Sequence, residues 1–153
     1  MTLTEQYMDE LLYAQQGELD AVAMYNALAK KVKSAKDAEA FKQLASEEGR
    51  HASVFHAYTK QVLKPKNTKA IAVPLMYKVI GRKRLYPIIA KQEYAAAKKY
   101  EKLVDKFEDV KSVQDDEVRH GVIVLGLLKV LTTKTHRCFD RVNETAVFLM
   151  LIS

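Results

Sequence analysis

One charged phrase occurs twice in this chain. Residues 47–52 read EEGRHA and residues 116–121 read DEVRHG. Each lies in a stretch whose apolar residues recur at helical spacing and whose inner face must be buried. Residues three apart on a helix sit about 60° from one another around the axis, so Glu48 shares a face with His51, and Glu117 with His120. Burying a carboxylate is costly unless an opposite charge meets it. A chain that writes the phrase twice must either turn both faces to water or build its interior around positive charge.

Each phrase has a companion upstream. Glu18 precedes Tyr25 by seven residues in ELDAVAMY, and Glu93 precedes Tyr100 by seven in EYAAAKKY. The order Glu, Tyr, then Glu-x-x-His is therefore repeated in the two halves, as an internal duplication would leave it. The neighbouring acids Glu47 and Asp116 fall about 100° off the inner face. They are expected to pair at i+3 with Arg50 and Arg119 as exposed ion pairs worth a few tenths of a kcal/mol, and to be dispensable for whatever the inner residues hold.

The 153 residues include only five Gly and three Pro, with 48% apolar and 29% charged side chains, which is a helical globular profile and not a disordered one. A first helix is expected from Leu3 to Val32, with Leu11, Leu12, Ala14, Leu19, Val22, Ala23, Tyr25, Asn26 and Ala29 on its face. After a break at KSAKD, a second carries Phe41, Leu44, Ala45, Glu48, Ala52, Phe55 and Tyr58, and Lys64-Pro65-Lys66-Asn67 stops it. The following segment to Arg84 reads as a short apolar helix or crossover interrupted by Pro74 and Gly81. A third helix starts between Arg84 and Pro87 and runs to Phe107. The fourth spans Val110–Leu131, with Val118, Val122, Leu125 and Leu128 on successive turns. The expected fold is all-α: a four-helix bundle with a long crossover between helices 2 and 3 and a short C-terminal helix. Residues 1–131 form the bundle and 132–153 a tail that packs on it or on a partner.

In such a bundle, Glu18, Glu48 with His51, Glu93, and Glu117 with His120 fall in one interior layer. Unpaired, the carboxylates would repel and take up protons. Two multivalent cations remove the conflict, and oxygen-rich ligation with imidazole suits iron or manganese. One Glu from each of two helices with Glu-x-x-His from the other two is the pattern of carboxylate-bridged di-iron bundles.

On these residues the chain resembles the ferritin-like superfamily, and within it the rubrerythrin-like branch, over Leu11 to Leu131. The resemblance implies Glu18 and Glu93 as single-helix ligands, Glu48 and Glu117 as bridging or capping ligands, and His51 and His120 each on one iron. Tyr25 and Tyr100 match tyrosines whose hydroxyls hydrogen-bond the ligand carboxylates. Rubrerythrins also carry a rubredoxin-like iron–sulfur domain, whose paired Cys-x-x-Cys motifs have no counterpart here: Cys138 is the one cysteine. They carry a second Glu one turn after the third-helix ligand, where this sequence has Ala96. The remaining set is closer to a ferroxidase or bacterioferritin-like site.

The resemblance implies a di-iron oxidoreductase that reduces peroxide or dioxygen with Fe(II) oxidation, in oxidative-stress defence or iron homeostasis. Its cofactor would be two iron ions, with manganese or a mixed pair as the alternative. An external donor such as a rubredoxin-like carrier would supply electrons. Two further readings stand beside it: iron storage, delivery or sensing without turnover, and hydroxylation of an organic substrate, which needs an apolar channel to the site. A homodimer is the expected assembly, with or without exchange of helix pairs between the chains.

The acidic N-terminus lacks a signal peptide's apolar core, and the longest apolar run, AVFLMLIS, is too short to span a membrane. With the single thiol this gives a cytoplasmic expectation. Net charge is +6, and from Arg50 to Lys91 there are ten Lys or Arg and no acid. That segment reads as a solvated face first, and as a nucleic-acid or anionic-membrane footprint second. His56 lies off the ligand face, and His136 with Cys138 makes no recognisable metal motif. Tyr13, Tyr58, Tyr77, Tyr86 and Tyr94 read as packing or interface aromatics.

Overall fold

Two helical hairpins lie against each other, and the crossover between them is tied down along its length. The computed structural model describes residues 1–131; the expected tail, with its short helix, His136 and Cys138, lies outside the described residues. A single turn, α1 (Leu3–Gln6), is closed by a capping box in which the Thr2 hydroxyl accepts from Glu5 N–H and the Glu5 carboxylate accepts from Thr2 N–H. There follow α2 (Met8–Ala29), α3 (Ala35–Thr59), α4 (Thr68–Val104), α5 (Val110–Gly126) and a 3-10 turn, Leu127–Leu131. α2 packs on α3 and α4 on α5. No strand occurs among the described residues, and no helix there is long and apolar enough to cross a membrane.

Helix ends follow local chemistry. Ser34 caps α3, its hydroxyl accepting from Asp37 N–H at 3.2 Å. α3 ends at Thr59, earlier than the Lys-Pro-Lys-Asn stop, because Lys60 takes left-handed backbone with φ 55° and closes on the His56 carbonyl. The crossover then runs along α2 on side chains of its AQQGELD stretch. Gln15 donates to the Gln61 carbonyl (2.9 Å), Gln16 to that of Lys64 (3.0 Å), and Asp20 accepts from Lys66 N–H (2.6 Å). Tyr77 accepts from Lys33 N–H at 3.3 Å, so the first half of α4 travels beside α2 towards its C-terminus.

Several expectations are corrected here. The segment from Thr68 to Ile80 is helical, one of its two expected forms, but Pro74 sits buried inside it without interrupting it. The one break in α4 is Gly81, at φ 70° and ψ 172°, a region closed to residues with a Cβ. Pro87 lies past the first turn that follows this break. Arg82 donates to the Leu127 carbonyl and lies 3.3 Å from the buried Asp37 carboxylate, which also accepts from Tyr86 at 2.6 Å. The corner is thereby tied to the start of α3 and the end of α5. On α5, Val118 and Val122 face solvent at 47% and 58% exposure; the buried face is Val110, Val113, Glu117, His120, Gly121 and Val124. Asn26 on α2 is likewise exposed.

The core comes in two apolar clusters. One gathers Met24, Leu28, Phe41, Leu44, Leu85 and Val124 at one end of the bundle. The other gathers Leu11, Phe55, Leu103, Phe107, Val110 and Val113 at the opposite end. Between them lies a polar layer. Gly81→Ala forces a Cβ into the mirror-image region, and is expected to cost about 1–3 kcal/mol. Thermal unfolding of the variant should show a clear fall in Tm, and an unchanged Tm would mean the corner has a conformation other than this one.

Candidate metal centre

The polar layer contains Glu18 from α2, Glu48 and His51 from α3, Glu93 from α4, and Glu117 and His120 from α5, all at 6% exposure or less. One ligand atom from each of Glu48, His51, Glu117 and His120 lies within 4.8 Å of the others. The two carboxylate oxygens of Glu48 divide between the histidines, Oε2 lying 3.2 Å from His51 Nδ1 and Oε1 3.0 Å from His120 Nδ1. Glu117 Oε1 likewise faces both, at 3.2 and 3.8 Å. Glu18 stands beside His51 at 3.6 Å, and Glu93 interacts electrostatically with His120. The rings of His51 and His120 stack with centroids 5.3 Å apart. Two adjacent half-sites result, Glu18/His51 and Glu93/His120, with Glu48 and Glu117 between them.

The halves are cross-braced. Tyr25 donates to Glu93 at 2.5 Å and Tyr100 donates to Glu18, each tyrosine reaching a carboxylate of the opposite half. The i+3 pairs expected of Glu47 with Arg50 and of Asp116 with Arg119 are present, but both acids also reach inward. Glu47 is 8% exposed, and its Oε2 accepts from His120 Nε2 at 2.8 Å. Asp116 Oδ2 accepts from His51 Nε2 at 3.1 Å. A proton held on Nε2 by the outer acid would leave each Nδ1 lone pair free to face inward once a cation replaces any proton there. Arg119 clamps both outer acids, 2.7 Å from Glu47 and 2.6 Å from Asp116, whereas Arg50 stays at 3.8 Å from Glu47 and is exposed. Helix angles alone missed this, because each acid's partner is a histidine in the other half.

The small residue that ends the second motif also has a reason. A Cβ at Gly121 would stand 2.5 Å from the Tyr94 ring, so α5 passes α4 there without room for a side chain. His56, as expected off the inner face, is exposed, with Nδ1 2.9 Å from the Gln61 carbonyl oxygen.

Protonation shows what the layer needs. Burial raises the Glu117 carboxyl to about 10, with Glu18, Glu48 and Glu93 adding to the rise. Burial likewise carries Glu48 well above the carboxylate range and Glu93 upward. Burial works against a charged His51, yet Glu117, Glu18 and Glu48 raise it to about 12. His120 is lowered, burial outweighing Glu47. Glu18 is held low against burial by His51, Glu48 and Tyr100. Without cations the layer balances its carboxylates by holding protons, on His51 as well as on Glu48, Glu93 and Glu117. Glu117 Oε1 remains a buried side-chain oxygen with no hydrogen-bond donor. An orphaned acceptor beside four carboxylates and two imidazoles is a donor set that could hold metal, with Glu48, His51, Glu117 and His120 at its centre.

Fold and site together define an all-α, ferritin-like bundle with a buried Glu/His cluster at its centre. The rubrerythrin family model matches residues 9–128, and the chain belongs to the rubrerythrin family. Comparisons with curated proteins and with solved structures return no match.

Two predictions follow from this geometry. Glu47→Ala or Asp116→Ala leaves one histidine without its partner and should weaken metal binding about 10- to 100-fold. Competitive titration against a chelator measures it; wild-type affinity in both variants would return these acids to a surface role. The second concerns pH. Folded Glu48, Glu93 and Glu117 titrate above the ordinary 4.5, so the fold holds extra protons. Their contribution is complete below about pH 4.5 and is lost as pH rises towards about 10. Glu18, Glu47 and Asp116, held low, act in the opposite sense only below the ordinary carboxylate range. Metal-stripped protein should therefore show a Tm that falls from about pH 5 to about pH 9, with a much flatter profile after metal is restored.

Proposed function

We propose that this protein is a non-haem di-iron oxidoreductase that reduces peroxide or dioxygen while oxidising Fe(II). The observation that carries the reading is Glu48, whose two oxygens face His51 and His120 separately, so that two cations bound there would be neighbours. Glu18 with His51 and Glu93 with His120 would complete the two positions, and Glu117 would serve both. Bound there, two irons would supply one electron each, the number that cleavage of an O–O bond requires.

The chain's own residues do the rest. Glu18, Glu48, Glu93 and Glu117 supply four negative charges in a layer covered above and below by apolar clusters, which limits water at the cations to one side, where a cleft opens. Asp116 and Glu47 hold the histidine protons on Nε2, and Tyr25 and Tyr100 fix the rotamers of Glu93 and Glu18. In balance, one peroxide takes two electrons and two protons to give two waters. Electrons for a further cycle would come from an external carrier of the rubredoxin type. A second reading, oxidation of an organic substrate, gains support from an apolar-walled cleft that reaches Glu18 and Glu93 from outside.

The test is anaerobic loading with Fe(II), metal analysis and a peroxide titration followed by absorbance. Two irons per chain, oxidised with one peroxide per pair and faster than free Fe(II), are the expected result. Glu48→Ala or His120→Ala should each lower the metal count. A single iron per chain, or oxidation no faster than in solution, would overturn the proposal.

A further inference from the structure

The ligand layer is open on one side. Between α2 and the second half of α4 lies a cleft of about 250 Å³ whose floor includes Glu18, Glu48, Glu93 and Glu117. Its walls are Ala14, Gly17 and Ala21 of α2 and Ala96 of α4. Residues 14, 17, 21 and 24 fall on one helical face, and the first three leave room with side chains of one carbon or none, while Met24 and Gln92 also line the cleft. A Cβ built at Gly17 meets nothing within 4 Å, an independent sign of open space. The donor-less oxygen of the buried Glu117 belongs to the floor residues.

The mouth has a different character. Lys69, at the start of α4, and Lys99, near its end, both line it. Lys99 donates to the Tyr13 hydroxyl at 3.0 Å and lies 4.9 Å from that ring's centre, which steadies its ammonium group at the rim. Both lysines are exposed, and both depress the Tyr13 hydroxyl pKa, the Lys99 hydrogen bond most strongly. The rim is thus basic, and the four glutamates lie below it. A small inorganic anion would use the lysines but gain nothing from the alanine walls. A neutral hydrocarbon would use the walls but not the lysines.

We infer that the α2–α4 cleft binds a small aliphatic carboxylic acid, its carboxylate between Lys69 and Lys99 and its carbon chain directed between Ala14, Gly17, Ala21 and Ala96 towards the ligand layer. This deepens the second reading above and rests on the dinuclear assignment for the floor of the cleft. The inference concerns binding alone. Each methylene that enters the walls should tighten binding about fourfold, from roughly 0.8 kcal/mol per buried CH2. The gain should stop when the chain reaches the floor.

The experiment is isothermal titration of the metal-loaded full chain with acetate, butyrate, hexanoate and octanoate, and with inorganic phosphate as the comparison. Metal content is determined on the same samples. Affinity that climbs with chain length and then levels off, with phosphate far weaker than hexanoate, is expected. Lys69→Glu combined with Lys99→Glu should weaken hexanoate at least tenfold while Tm and metal content stay as in the wild type. Ala96→Leu should weaken hexanoate more than acetate. Equal affinity for phosphate and every acid would reduce the cleft to a charged rim and overturn the inference. So would no binding at all by protein that holds two metals per chain, a result that leaves the dinuclear reading standing. Protein that fails to load two metals overturns both.

Discussion

Carboxylates crowded out of water set the terms for this fold. Four of them, with two imidazoles, occupy a layer between two apolar clusters, where solvent cannot screen their repulsion. Each of the four long helices contributes to the layer, so its electrostatic balance is shared by the whole bundle. The apolar clusters bring the helices together, and the layer decides which faces must meet. A bundle with the same apolar content and a different register would leave a buried charge without its counterpart, at a cost that hydrophobic contact at the ends could not offset.

The layer itself was legible because its spacing is local. Glu48 with His51 and Glu117 with His120 lie one helical turn apart, and the angle between them is fixed by covalent geometry before any packing occurs. What joins them across the bundle is tertiary, and the sequence is silent on it. The hydroxyl of Tyr25 belongs to Glu93 and that of Tyr100 to Glu18, partners 68 and 82 residues distant. The histidine partners of Glu47 and Asp116 were hidden for the same reason. A helical wheel knows only its own helix, and their partners are on another.

The error on α5 is instructive in a different way. Val118 and Val122 have the apolar periodicity of a buried face, and they face water. The face that is buried carries Glu117 and His120 among its valines, so apolar content pointed away from it. Where function requires a polar interior, hydrophobic pattern is a poor compass, and the charged motif is the better one. The corner at Gly81 was visible as a glycine, but not its hold on Asp37 through Arg82 and Tyr86, which converts a chain reversal into part of the core.

The braces between the halves have an implication for the molecule's history. Each half lends its tyrosine and its outer acid to the other, so neither half closes its own ligand set. A chain of half this length would need a twin to do so, lying head to tail across a twofold axis. The present chain has the plan of such a pair made continuous, with the segment beside α2 as the tether. Arg119 is where that twofold plan is broken: it grips the outer acids of both halves, and Arg50, its counterpart, lies at the surface.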